Sequence, residues 1–146
     1  MRSTMIFLHL LGVVVWIGGM LFAVLCLRPS LAAIPPADRG RLMAAVLRRF
    51  FNVVVVALLL LWISGPWLWS RIPAQAVPLG WHLMLGIAVL MTAIFAWLRI
   101  VLLGRVERAV KAGDAALTGA SLAGVHRLVL TNLALGLLAI AAVKFV

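Results

Sequence analysis

The sequence predicts an all-α fold: an integral membrane four-helix bundle, up-down-up-down, with both termini on the outer side. Three observations predict it. Hydrophobic residues make up 66% of the 146-residue chain and charged residues only 11%, against roughly 45–50% and about 25% in soluble domains; too few polar residues remain to cover a core in water. Four apolar stretches, 5–27, 50–70, 81–104 and 128–146, each approach or exceed the about 20 residues that a spanning helix needs. The basic residues gather in two of the three stretches between them. The chain is therefore expected to form a single transmembrane domain over 1–146, in which the bilayer is the principal partner.

Span one opens with "FLHLLGVVVWIGGMLF" at 7–22. Its apolar run exceeds the 7–15 residues of a signal-peptide h-region, and no small-residue cleavage site ends it; it reads as a retained span. Gly18-Gly19 suits close helix contact, and Cys26, the single cysteine, reads as a small hydrophobe. A linker with Pro29, Pro35, Pro36 and Gly40 follows. Span two carries Ser64-Gly65-Pro66 near its end, where Pro66 cannot donate to the helical ladder and a kink is expected. Pro73, Pro78 and Gly80 punctuate the second linker, and Trp62, Trp67, Trp69 and Trp81 mark a membrane boundary there. Spans three and four are separated by "VKAGDAALTGAS". Asn52 and Asn132 stand near corresponding ends of spans two and four and are expected to bond across helices, whereas Arg99 is expected to snorkel.

Ten of the 13 Lys and Arg flank the first and third linkers: Arg28, Arg39, Arg41, Arg48, Arg49, Arg99, Arg105, Arg108, Lys111 and Arg127. The positive-inside rule places these linkers in the cytoplasm and both termini outside, in the periplasm if the protein belongs to a bacterial inner (cytoplasmic) membrane. The same rule accounts for a net charge of +10 without nucleic acid. Only Asp38, Glu107 and Asp114 are acidic, and no carboxylate pair, phosphate loop or nucleophile–base constellation is present. Hydrolytic and phosphoryl-transfer chemistry are thereby excluded, and any catalysis must come from a cofactor.

Two histidines fall within apolar spans. His9 and His82 start helices that run in the same direction, which puts both near the outer surface at similar depth, and spans one and three are diagonal in such a bundle. "HLLG" at 9–12 and "HLMLG" at 82–86 echo each other, as a duplicated helical hairpin would. An imidazole in hydrocarbon is costly unless bonded. A b-type haem held between His9 and His82, with Gly12 and Gly86 giving side-chain-free surface for the macrocycle, satisfies both. Copper is the alternative: Met5 lies one turn before His9, and thioether with imidazole suits Cu(I) at Met5, His9 and His82. Either histidine also has the plainer reading of a ring that reaches interfacial water, which is the reading for His126 beside Arg127.

"FLHLLGVVVWIGGMLF", "SGPWLW", "GWHLMLG" and "RAVKAGD…HRLVLTNLALGLL", in this order, resemble the small bacterial membrane proteins of the CopD family over nearly the whole chain. The resemblance implies a four-helix inner-membrane bundle and a theme of copper handling. A more distant likeness is to HemJ, a four-helix haem-containing protoporphyrinogen oxidase, whose first-helix histidine matches His9. Its third-helix His-x-Lys reads His82-Leu83-Met84 here; the absent lysine argues against protoporphyrinogen oxidation. Three functions are thus expected in turn. The first is a haem-dependent membrane redox protein passing electrons between a quinone-like donor and a partner protein. The second is a copper-binding or copper-moving protein. The third is a structural subunit of a membrane complex, whether of other proteins or of further copies of the chain.

Overall fold

The computed structural model describes all 146 residues and contains helices and turns with no strand. Four long helices carry the fold: α1, Arg2–Ala33; α2, Pro36–Trp69; α3, Leu79–Lys111; and α4, Ala115–Phe145. At 31–34 residues each and about 1.5 Å of rise per residue they are about 46–51 Å long, well beyond a hydrocarbon core of about 30 Å. All four are long and apolar enough to cross a membrane.

Adjacent helices alternate in direction. The start of α1 meets the end of α2 at His9 and Ser64, the start of α2 meets the end of α3 at Arg48 and Glu107, and the start of α3 meets the end of α4 at Gly80 and Ala142. The bundle therefore has a histidine end, with both termini, and an arginine end.

The helices begin and end elsewhere than the apolar runs suggest, because hydropathy registers only the lipid-facing part of a helix. Most of the expected first linker is helical. Pro36 opens α2, where a missing N–H costs nothing, and Arg39 donates to the carbonyls of Ile34 (2.8 Å) and Ala32 (3.2 Å), closing the short break. The third linker shrinks to a turn at Ala112–Asp114. Gly113 takes the left-handed φ of 69° that ends α3, and the Asp114 carboxylate accepts from the Leu117 N–H at 2.8 Å to cap α4. Pro66 does not interrupt α2, which continues to Trp69.

α1 packs along α2, and α3 along α4, giving two hairpins that meet in the core. Each hairpin has a π-helical turn at the arginine end of its first helix, Ala23–Leu27 in α1 and Leu98–Leu102 in α3. This shared irregularity adds structural support to the repeat suggested by the two histidine motifs. Phe95 of α3 joins the hairpins, packing edge-on against Trp16 of α1 (6.3 Å between centroids) and Phe51 of α2 (5.5 Å). Asn132, buried in α4, donates to the Met91 carbonyl at 3.2 Å, and Asn52 accepts from Arg99 at 2.8 Å; both asparagines tie their helix to α3. One N–H of the Arg99 guanidinium is thus held by an amide. Only 24 of the 146 residues are buried, and Phe7, Val14, Phe22, Ile63 and Ile100 are each more than half exposed. That apolar exterior suits lipid and not water.

Candidate functional site

At the histidine end, His9 is half-buried on the side of α1 that faces α2. Its Nδ1 lies 3.0 Å from the Ser64 hydroxyl, and its ring lies over Gly65, where an added Cβ would come within 3.4 Å of His9 Cε1. Ser64 Oγ in turn donates to the Leu60 carbonyl at 2.5 Å. A hydroxyl has one proton. Since that proton goes to Leu60, the oxygen must accept from His9, so Nδ1 carries the hydrogen and Nε2 carries the lone pair. The chain Leu60–Ser64–His9 orients an imidazole with its other nitrogen available, the arrangement that outer-sphere partners give to metal-binding histidines.

His82 has different surroundings. Its Nδ1 donates to the Pro78 carbonyl one turn earlier at 3.2 Å, and its ring stands edge-on to Trp69 with centroids 5.0 Å apart. Trp69 also packs on Trp81 at 6.1 Å, and Trp67 is covered by the Arg71 guanidinium at 4.7 Å; three of the four indoles thus gather at this end, while Trp62 donates to Thr92 at 3.2 Å. His82 is likewise an Nδ1–H tautomer, but it is exposed.

The two histidines share an end of the bundle and have different partners on α2. Their partners on α2, Ser64 and Trp69, are five residues apart, which is about 7.5 Å of rise and about 140° around the helix. The two imidazoles thus meet residues on different sides of α2. The glycines differ in the same way. A Cβ on Gly12 would meet Leu61 Cγ at 2.8 Å and the Ala57 carbonyl at 3.0 Å, so its bare face is filled by α2. Gly86 has nothing within 4 Å. A haem clasped between α1 and α3 needs a free slot beside Gly12, and with Leu61 and Ala57 filling that face Gly12 does not fit the group.

Copper fits better in donor type. Met5, half-buried, precedes His9 by one turn on the same helix face, and an imidazole nitrogen with a thioether is a soft pair suited to Cu(I). No group of three or more His, Cys, Asp or Glu is placed to hold a metal ion, which leaves no donor set for a closed zinc site. Ser64 is the residue that sequence reasoning missed. It reads there as part of a kink, and its pairing with His9 across 55 residues has no local signal.

A family model described as Copper resistance protein D matches residues 44–146, most of the chain. The matched segment runs from within α2 through α3 and α4 and includes Ser64 and His82; Met5, His9 and Gly12 precede it. No curated protein and no solved structure matches the chain.

Proposed function

Since the chain belongs to the Copper resistance protein D family, we propose that it is a copper-handling membrane protein whose cargo, Cu(I), is bound at the histidine end by His9 Nε2 and the Met5 thioether. The observation that supports this reading is the Leu60–Ser64–His9 chain, which holds Nδ1 protonated and leaves Nε2 as a ligand. His82 stands on another side of α2 and serves as a separate donor, not as a second arm of the same site. With the arginine end in the cytoplasm, the histidine end faces outward, toward the periplasm of a bacterial inner membrane.

The test is anaerobic titration of the purified full chain with Cu(I) against a chromogenic chelator. Cu(I) binding is expected at one equivalent per chain, lost in His9→Ala, weakened in Met5→Leu and retained in His82→Ala. Failure to hold copper overturns the reading, as does equal loss in His82→Ala. A Soret band that shifts on reduction with dithionite and disappears in His9→Ala also overturns it, in favour of haem.

A further inference from the structure

A cavity lies at the arginine end, remote from His9 and His82. It has a volume of about 760 Å³ and opens between the end of α1, the start of α2 and the first half of α4. That is within the roughly 300–1,000 Å³ range of small-molecule sites. Its lining is divided by chemistry. Arg28, Arg39, Arg41 and His126 supply the polar side, and Leu47, Leu122, Val125 and Val129 supply an apolar side continuing toward the bundle core.

The charges of this lining are not neutralised within the chain. No carboxylate lines the cavity. Of the three acids, Glu107 pairs with Arg48 at 2.8 Å, Asp114 caps α4, and Asp38 is an exposed first-turn residue of α2. Arg39 is held by the carbonyls of Ala32 and Ile34, but the lining guanidiniums of Arg28 and Arg41 are exposed and donate to no protein group. The first turn of α2, at Pro36 and Ala37, also borders the cavity, and its N-cap Pro35 gives no side-chain hydrogen bond, so the positive end of that helix adds to the field.

We propose that this cavity is a binding site for an anionic phospholipid, with the phosphate held by Arg28, Arg41 and His126 and an acyl chain laid along Leu122, Val125 and Val129. The shared chemistry is a phosphate anion joined to an apolar chain. Lipid is the source that the geometry favours over free phosphate, because the lining joins a cationic rim at the end of the bundle to an apolar wall that runs back toward the bundle core. The inference depends on the bundle lying in a bilayer and is independent of copper.

The test uses the delipidated full chain in detergent, titrated separately with phosphatidylglycerol, phosphatidylcholine and inorganic phosphate, and read by thermal melting and by native mass spectrometry of retained lipid. Phosphatidylglycerol is expected to raise the melting temperature and to remain bound; the other two are not. Arg28→Ala with Arg41→Ala should weaken phosphatidylglycerol about thirtyfold, whereas Arg105→Ala with Arg127→Ala, which removes the same charge outside the cavity, should leave it unchanged. Ala123→Trp keeps the arginines and fills the cavity, and should abolish retention; it decides the matter if the double arginine variant does not fold. Equal effects from phosphatidylcholine or inorganic phosphate overturn the proposal, as does equal weakening in the control pair or unimpaired retention in Ala123→Trp.

Discussion

At the scale of single residues, one hydroxyl proton determines which nitrogen of His9 is available. Ser64 is fully buried and sits between an acceptor, the Leu60 carbonyl, and a ring that must then donate. Removing the hydroxyl leaves Nδ1 without its partner and the imidazole free to turn or to change tautomer. Ser64→Ala is therefore expected to weaken Cu(I) binding by about 10–100-fold, the usual cost of losing an orienting partner, while the lost hydrogen bond costs the fold only about 1 kcal/mol. Ser64→Thr keeps the hydroxyl and should restore affinity. The same chelator competition measures all three proteins, and a Ser64→Ala affinity equal to that of the parent would remove the orienting role. Asn132 is the contrasting case: its amide nitrogen is bonded to Met91, but its buried Oδ1 has no partner, and nothing in the structure shows what that oxygen serves.

At the scale of helices, the glycines sort into those that permit contact and those that do not. Gly80 is backed by the main chain of Ala142 and Val143, closer than any Cβ could approach. Gly12 is backed by Leu61 and Ala57, and Gly19 by the Phe50 ring, whereas Gly18 and Gly86 have nothing within 4 Å. A backbone neighbour cannot rotate away. Gly80→Ala must push α3 from α4 and is expected to destabilise by about 1–3 kcal/mol, whereas Gly86→Ala should change stability by less than about 0.5 kcal/mol; thermal melting in one detergent compares them, and equal melting temperatures would refute the packing account. This sorting also shows where sequence reasoning stops. Four helices, their order and the two bonding asparagines were legible, because spans need long apolar runs and buried amides need partners. The helix limits were not, since Arg39 and Asp114 organise turns through contacts that hydropathy does not register. Nor were the different partners on α2 met by His9 and His82, Ser64 and Trp69. "HLLG" and "HLMLG" specify faces of their own helices, but the rotation of each helix against α2 is set by which glycine meets which side chain.

At the scale of the whole molecule, the two ends differ in charge more than in shape. The arginine end holds ten of the 13 basic residues and all three acids, Arg28 and Arg41 border the cavity there, and only one ion pair, Arg48 with Glu107, is formed. The histidine end carries Arg2, Arg71 and Lys144 with indoles and the two imidazoles. A charge asymmetry of this size governs insertion, because translocating an arginine-rich linker across the energised membrane opposes the potential. The arginine end is then expected in the cytoplasm, and a copper site at His9 would meet copper from outside. Single cysteines in a Cys26→Ser background read this directly. On cells whose outer membrane has been permeabilised, a membrane-impermeant maleimide should label Gln75→Cys, in the turn after α2, and should label Ala112→Cys, in the turn after α3, only after lysis. Labelling of Ala112→Cys in unlysed cells with Gln75→Cys protected would invert the molecule. It would also place His9 on the cytoplasmic face and move the proposed lipid cavity to the outer leaflet.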